Sequence, residues 1–184
     1  MYVAFEGIDT CGKSTQIELL KPKFPDAIFT KEPGGSIIGS KIRDMLLSGE
    51  KLDNKAEFFL FLADRAQHCF EVIVPNKDKM IIADRSLISG IAYAKNIVCA
   101  LEYNLFATQD MLPDKVVLFR IGEELLKRRL EEKRQDVIEE RGVEYLMHIQ
   151  ERLFEITHQL RLDTLILDAS LSIEELHQQI IAFL

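Results

Sequence analysis

The chain has 184 residues, of which 47% are hydrophobic and 29% are charged, a composition typical of a globular protein. Its formal net charge is −7, which gives no overall electrostatic basis for binding nucleic acid or an anionic membrane surface. The N-terminal residues lack the pattern of a signal peptide, and no uncharged apolar stretch approaches the length of a membrane span. We therefore expect neither nucleic acid nor a membrane as a partner, and the length favours a single domain over residues 1–184.

The chain contains three cysteines, Cys11, Cys69 and Cys99, which show neither CxxC pairing nor the spacing of zinc ligands. An odd count does not suit a disulfide framework, so the sequence predicts free thiols and a reducing, cytoplasmic location. Cys11 lies in a glycine-rich loop whose N–H groups we expect to lower the pKa of its thiol.

Five short apolar runs, rich in β-branched or aromatic residues, predict strands at 2–5, 27–29, 80–83, 116–119 and 164–167. Their apolarity is continuous, which indicates burial on both faces and hence a parallel sheet. Helical patterns alternate with these runs, at 13–22, 36–48, 54–74, 87–97, 100–109, 122–134, 142–160 and 172–183. The alternation predicts an α/β protein of three layers, with helices on both sides of a five-stranded parallel sheet.

Two of the helical segments carry further signals. Ser172 and Glu175 have the spacing of a capping box, which predicts the start of the last helix. Between Ala56 and Val74, Phe and Leu residues cover nearly the whole circumference of the predicted helix. Such a helix is either buried on most sides or packs an apolar face against a partner.

The strongest local signal is the segment from Gly7 to Ser14, which matches GxxxxGK[S/T] directly after the first strand and before the first helix. Glycines allow a tight turn whose N–H groups point at phosphate oxygens, and the helix N-terminus adds partial positive charge. The motif therefore predicts binding of ATP with Mg²⁺, in which Lys13 reaches the β- and γ-phosphates and the Ser14 hydroxyl ligates the metal. The residues assigned to ATP are Gly7, Ile8, Asp9, Thr10, Cys11, Gly12, Lys13, Ser14 and Thr15.

Asp84 and Arg85 follow the third predicted strand, at the edge of an open α/β sheet where ligands bind. We expect Asp84 to hold Mg²⁺ directly or through water, so the predicted metal ligands are Ser14 and Asp84. Arg85 is suited to gripping a phosphate through two hydrogen bonds. The alternative is a surface ion pair of little energetic consequence.

Five segments, in order along nearly the whole chain, resemble those of thymidylate kinases. They are FEGIDTCGKSTQ at the phosphate-binding loop, TKEPGGS at 30–36, FLFLADRAQH at 59–68, DRSLISGIAY at 84–93 and LDAS at 167–170. The resemblance implies a P-loop NTPase fold with strand order 2-3-1-4-5. It also implies transfer of the γ-phosphoryl group of ATP to dTMP, giving dTDP and ADP, in dTTP biosynthesis. Together with the apolar helix near 56–74, it suggests a homodimer.

The resemblance assigns three residues to the base and sugar of dTMP. Asp9 matches an acid that hydrogen-bonds the 3′-hydroxyl group, Phe61 an aromatic residue that stacks on thymine, and Arg65 a residue that binds the base edge. Phe61 and Arg65 are four residues apart and so share one face of a helix. Without the resemblance, the apolar surroundings of Phe61 would favour a place in the core.

The other residues assigned to dTMP by the resemblance are polar or charged. Arg43 and Arg85 match arginines that hold the acceptor phosphate, and Ser89 and Tyr93 match polar contacts to the nucleotide. Glu32 begins a rigid Glu-Pro-Gly-Gly turn after the second strand and is a plausible organiser of the arginines.

A cation that bridges donor and acceptor is expected either in the phosphate-binding loop or in a lid at about 134–142. Thr10 and Val137 stand at the two positions where relatives carry that arginine. The nearby candidates are Arg129, Arg134 and Arg141, and we expect Arg134 or Arg141 to supply the charge when the lid closes. The residues assigned to catalysis are Lys13, Asp84, Arg85, Arg134 and Arg141.

Three alternatives remain at this stage. Another small-molecule P-loop kinase would act on a different nucleoside or monophosphate. A GTPase needs Asn-Lys-x-Asp, whereas the chain has only Asn76-Lys77-Asp78-Lys79 and lacks Asp-x-x-Gly after a strand. A purely structural domain would leave the five ordered motifs without a role.

Overall fold

The computed structural model describes residues 1–94, 96–132 and 142–184. Its sheet has five strands, all parallel, in the order β2-β3-β1-β4-β5, as the resemblance implied. The strands are β1 (Tyr2–Glu6), β2 (Ile28–Lys31), β3 (Ile81–Asp84), β4 (Lys115–Arg120) and β5 (Asp163–Asp168). The α-helices within the described ranges are α1 (Lys13–Leu20), α2 (Gly39–Leu47), α3 (Asn54–His68), α4 (Leu87–Ala92), α5 (Ala100–Thr108), α6 (Glu123–Glu131), α7 (Val143–Gln159) and α8 (Ile173–Phe183).

The central strands carry the core of the protein. Every residue of β1 is buried, and so are the inner residues of β3 and β4. The expected burial on both faces is wrong for the edge strands, because β2 is only half-buried and Ile166 in β5 is 53% exposed. An edge strand has a neighbour on one side only, so helices cover it less completely than they cover the centre.

Three predicted helices are shorter than the sequence pattern suggested. Helix α2 begins at Gly39, after a turn that includes Gly34 with φ +107°. Helix α4 ends at Ala92, ahead of two residues with positive φ, Asn96 and Cys99. Helix α3 ends at His68 and continues as a π-helical turn (Cys69–Ile73) and a 3₁₀ turn (Val74–Asn76), where Pro75 has no N–H to donate.

The predicted start of the last helix is confirmed. The Ser172 hydroxyl accepts a hydrogen bond from the Glu175 N–H at 3.2 Å, and the Glu175 carboxylate accepts one from the Ser172 N–H at 2.9 Å. The N-terminus of α3 is capped in a simpler way, because the Asp53 carboxylate accepts from the Lys55 N–H at 3.0 Å.

Because the strands are parallel, their carboxyl ends meet at one edge of the sheet, where β1 leads into the phosphate-binding loop and β3 into Asp84 and Arg85. No helix in the described portion of the chain is both long and apolar enough to cross a bilayer.

Candidate active site

A cavity of 1330 Å³ opens at this edge of the sheet. It is larger than the roughly 300–1,000 Å³ of an ordinary small-ligand pocket, so it has room for two ligands side by side. Most of the sequence-predicted site residues line it: Asp9, Thr10, Gly12, Lys13, Ser14, Thr15, Glu32, Arg43, Phe61, Arg65, Asp84, Arg85, Ser89 and Tyr93. Gly7, Ile8 and Cys11 are buried in the phosphate-binding loop and do not line the cavity wall.

The phosphate-binding loop has the shape that its glycines require. Gly12 stands before the first residue of α1 with φ +106°, a conformation that other residues rarely adopt. A side chain at Gly7 would come within 2.8 Å of the Cys11 sulfur. Lys13 is buried, and its Nζ donates to the carbonyl oxygens of Gly7 at 2.8 Å and Ile8 at 3.0 Å. The ammonium group is therefore held against the loop that would surround the phosphates.

The expectation for Cys11 was wrong in direction. Its thiol is 1% exposed, and burial raises its pKa above the ordinary value, although the ammonium group of Lys13 opposes that shift. Burial also raises the pKa of Cys69, to about 11. All three cysteines are free, as the sequence predicted.

Ser14 and Asp84 form a pair of oxygen donors suited to a magnesium ion. The Ser14 hydroxyl lies 3.4 Å from Asp84 Oδ2, while Asp84 Oδ1 is buried and has no hydrogen-bond partner among the described residues. Mg²⁺ is usually held by one or two protein oxygens together with substrate phosphates and water. The described chain contains no cluster of three or more His, Cys, Asp or Glu residues that would hold a metal by itself. The donor set therefore fits a magnesium ion brought in with a nucleotide.

Arg85 links the phosphate-binding loop to β3 and α4. Its guanidinium donates to Asp9 Oδ1 at 2.6 Å, to the Gly7 carbonyl at 3.1 Å and to the Ser89 hydroxyl at 3.1 Å. Burial alone would lower the pKa of Arg85, but the Asp9 carboxylate and other nearby groups raise it above its ordinary value. The backbone of Arg85 has φ +74°, and strained conformations of this kind concentrate at functional sites. The residue thus presents a fixed positive charge at the cavity.

Glu6, at the end of β1, holds the first turn of α4 beside Arg85. This role was not predicted from the sequence. The buried carboxylate of Glu6 accepts hydrogen bonds from the hydroxyl groups of Ser86 and Ser89. Burial raises the pKa of Glu6, although the two serine hydroxyls oppose this shift. Glu6 follows the apolar run of β1, and only its place at the end of a central strand indicated a role in the site.

Glu32 is the centre of a buried charged cluster. Its carboxylate accepts from Arg65 Nε at 2.8 Å, and its other oxygen lies 2.8 Å from His68 Nδ1. His68 Nε2 lies 2.6 Å from the Thr30 hydroxyl. Burial opposes ionisation of Glu32, but Arg65 and His68 outweigh it and hold its pKa below the ordinary value. Glu32 was expected to organise the arginines of the acceptor phosphate. Its carboxylate instead holds Arg65 and His68, while Arg43 donates to the Pro33 carbonyl and Arg85 to Asp9.

Arg65 is 2% exposed, although it borders the cavity. Besides Glu32, it donates to the side-chain oxygen of Asn104 and, at 3.1 Å, to the carbonyl oxygen of Ser86. Phe61, one helical turn earlier on α3, is half-buried and lines the same cavity. The two residues share a face of α3, as their spacing predicted.

The Glu-Pro-Gly-Gly turn holds Arg43 at the cavity. Arg43 Nη1 donates to the carbonyl oxygen of Pro33 at 3.1 Å. A side chain at Gly35 would come within 2.5 Å of the Lys31 carbonyl oxygen, so the second glycine allows a close backbone approach. Asp64 on α3 secures the turn by accepting from the Gly34 N–H at 3.0 Å.

Tyr93, just after α4, also lines the cavity. Its ring packs edge-to-face on Tyr145, with ring centres 6.5 Å apart, and the Arg85 guanidinium lies 5.4 Å from the Tyr93 ring centre. Burial raises the pKa of Tyr93, although Arg85 opposes that shift, so its hydroxyl stays protonated at neutral pH. The hydroxyl is buried and makes no well-formed hydrogen bond within the described ranges, although the Arg85 guanidinium lies close enough to interact with it.

Arg129 lines the cavity and joins the phosphate-binding loop to the loop after β5. Its guanidinium donates to the carbonyl oxygens of Thr10 and Ala169, each at 2.9 Å. The sequence placed Arg129 among the three nearby candidates for the bridging cation, and the structure shows it bonded to these two loops. Arg134, Arg141, Val137 and nearly all of the predicted lid at 134–142 lie outside the described residues.

A glycine-rich loop with a lysine and a serine, an Asp-Arg pair on the adjacent strand, and one cavity that extends from the loop to α3 define the class of P-loop phosphotransferases. Residues 5–180 match the sequence profile of the family described as thymidylate kinase. The chain belongs to the thymidylate kinase family, which phosphorylates dTMP to dTDP using ATP.

Two relatives with the name thymidylate kinase illustrate the likeness. The protein of Wolinella succinogenes is 55% identical over 184 residues, which cover 99% of this chain and 97% of the relative. That of Helicobacter hepaticus is 53% identical over 187 residues, covering 98% and 96%. The crystal structure of thymidylate kinase from Ehrlichia chaffeensis has a similar fold, with a TM-score of 0.77 at 24% identity, covering 99% of this chain and 96% of that one.

Proposed function

We propose that the cavity holds ATP at the phosphate-binding loop and dTMP at the pocket of Phe61 and Arg65, so that the two phosphate groups face each other. The observation that carries this proposal is that a single cavity includes both Lys13 and the Phe61–Arg65 face of α3. Holding two reactants in line converts a reaction between separate molecules into one within a complex, and this accounts for much of the barrier reduction.

The acceptor phosphate would lie between Arg43 and Arg85, both of which line the cavity. Lys13 and these arginines neutralise the negative charges that otherwise repel donor and acceptor. No general base is needed, because the phosphate oxygen of dTMP is already a nucleophile. Asp9 and the Tyr93 hydroxyl would bind the sugar and the nucleotide, while Phe61 offers a flat apolar surface to the base.

We propose Mg²⁺ as the cofactor, with Ser14 and Asp84 as its protein ligands, directly or through water. The buried, unpartnered Oδ1 of Asp84 supports this assignment. When bound, the metal neutralises charge on the β- and γ-phosphate oxygens.

Asp84→Asn should raise the Mg²⁺ concentration that gives half-maximal activity by about tenfold or more, because an amide oxygen attracts the cation less than a carboxylate does. The measurement is initial rate against Mg²⁺ at fixed ATP. Asp114→Asn is the control, since that carboxylate accepts from the Tyr2 N–H outside the cavity. An unchanged Mg²⁺ dependence in Asp84→Asn would remove this residue from the metal site.

The acceptor is tested by ADP release with ATP and Mg²⁺ across a panel of dTMP, dUMP, dCMP, dGMP and AMP. We expect the highest kcat/KM with dTMP and formation of dTDP. A preference for another monophosphate or a nucleoside would favour a different small-molecule kinase, and dependence on GTP in place of ATP would contradict the proposed donor.

We also propose that the chain is a cytoplasmic homodimer that associates through α3 and α5. These helices pack together, with the rings of Phe58 and Tyr103 6.1 Å apart. Their outer sides expose large apolar side chains, including Phe59 at 57% and Phe106 at 85%. Burying such a surface against a second copy is favourable. A monomer in sedimentation at micromolar concentration would contradict the dimer.

A further inference from the structure

Arg65 is held by acceptors on three different elements. Its guanidinium has five N–H groups, which donate to Glu32 beside β2, to Asn104 on α5 and to the Ser86 carbonyl at the start of α4. These bonds use three of the five donors and fix the plane of the group. The remaining N–H groups have no acceptor within the parts of the chain that the structure describes, and the residue borders the cavity. The orientation of those donors is therefore set by the three acceptors.

Of the three acceptors, only Asn104 lies outside the five sequence motifs, which include Glu32 at 30–36 and Ser86 at 84–93. It is fully buried on α5, and its Nδ2 donates to the Ala100 carbonyl at 2.7 Å. This bond determines which end of the carboxamide faces Arg65, because only the oxygen can accept from a guanidinium. A flipped amide would lose both hydrogen bonds and leave buried polar atoms without partners.

Gly90 leaves the space in which Arg65 and Asn104 meet. A methyl group at this position would clash with Nη1 of Arg65 and with the side-chain oxygen of Asn104. Both are ends of side chains, so a larger residue would displace the pair while leaving the backbone of α4 in place. Gly90 lies inside a helix, where alanine is intrinsically the better residue by about 1 kcal/mol. Space for the pair accounts for a glycine at this point.

We propose that Asn104 is a positioning residue that sets selectivity for thymine by fixing the guanidinium of Arg65. This inference rests on the proposed function, in which Arg65 meets the base edge. Thymine presents an oxygen acceptor, O4, where cytosine presents an amino donor. A fixed guanidinium, which can only donate, favours thymine and opposes cytosine. A loosened guanidinium loses contact with O4 and can also retreat from the cytosine amino group, so the preference falls.

The test is the ratio of kcat/KM for dTMP to that for dCMP in three variants. Asn104→Leu removes the acceptor at similar size, and we expect the ratio to fall at least about tenfold. The loss should arise mainly through KM for dTMP, with KM for ATP changed less than about twofold. Asn104→Asp keeps an oxygen facing Arg65 and should retain more of the ratio than Asn104→Leu. Gly90→Ala displaces the same pair from the other side and should lower the ratio.

Thr108→Val is the matched control, because Thr108 is a buried polar residue one turn along α5 whose hydroxyl donates to the Leu105 carbonyl. Its ratio should equal that of the parent protein. If Asn104→Leu does not fold, as thermal unfolding would show, Gly90→Ala decides. An unchanged ratio in the folded Leu or Ala variant, or an Asp variant no better than Leu, would overturn the inference. A parent protein that does not prefer dTMP to dCMP would instead overturn the proposed function.

Discussion

Replacing Lys13 by Met should lower kcat by about a hundredfold to a thousandfold while the protein stays folded. The ammonium group lies within the phosphate-binding loop, held by the carbonyl oxygens of Gly7 and Ile8. Charged groups aimed at a transferring phosphoryl group in a site that excludes water typically contribute about 10²–10³ in rate, and arginine fingers contribute more. Methionine keeps the length of the side chain and removes the charge. The measurement is kcat for ADP release with ATP and dTMP.

Lys21→Met is the control, because it makes the same change at the far end of α1. Lys21 forms an exposed ion pair with Glu18 and lies outside the cavity. Its kcat should match that of the parent protein. A folded Lys13→Met enzyme that loses less than about tenfold in kcat would show that the lysine does not act on the phosphates.

Replacing Glu32 by Ala should destabilise the fold by about 3–5 kcal/mol, since removing one partner of a buried ion pair leaves an uncompensated charge. The charge left behind is that of Arg65, which is 2% exposed. A change of this size lowers the Tm of a chain of this length by roughly 6–20 °C. Glu18→Ala, which removes an exposed partner of Lys21, should leave the Tm nearly unchanged. Equal Tm values for parent and Glu32→Ala would contradict the structural role of the cluster.

The effect of Glu32 should also depend on pH. Because its pKa lies below the ordinary value of 4.5, the ionised carboxylate stabilises the fold fully above that value. This stability is lost as the pH falls through the lower pKa of the folded state. The destabilisation caused by Glu32→Gln should therefore shrink as the pH falls from 5 toward 3. Urea unfolding of both proteins across this range measures the difference.

The sheet was predictable because each of its strands is a compact apolar run between polar or glycine breaks. Local sequence also predicted the capping box of α8, since both partners are three residues apart. The ends of the helices were harder to predict from the sequence. The end of α4 depends on positive φ at Asn96 and Cys99, and neither residue breaks an apolar pattern. The exposure of β5 follows from its place at the edge of the sheet. The sequence of one strand does not show which strands lie beside it.

The motifs predicted the residues that line the cavity, but not the buried residues that hold those side chains in place. Lys13, Asp84 and Arg85 stand in short patterns with a known chemical logic, and the structure brings them to one cavity. Glu6, His68 and Asn104 act through other residues and lie on separate elements, so their roles depend on contacts over tens of residues in sequence. For Cys11, the sequence showed its place in the phosphate-binding loop but not its burial, so the predicted direction of its pKa shift was wrong.

A crystal structure with dTMP, Mg²⁺ and a non-hydrolysable ATP analogue tests the two-nucleotide arrangement most directly. The account predicts the triphosphate around Lys13, the thymine ring on Phe61 with O4 facing Arg65, and the acceptor phosphate between Arg43 and Arg85. Density for thymine anywhere other than the Phe61–Arg65 face, or a triphosphate that does not meet the loop from Gly7 to Ser14, would contradict it.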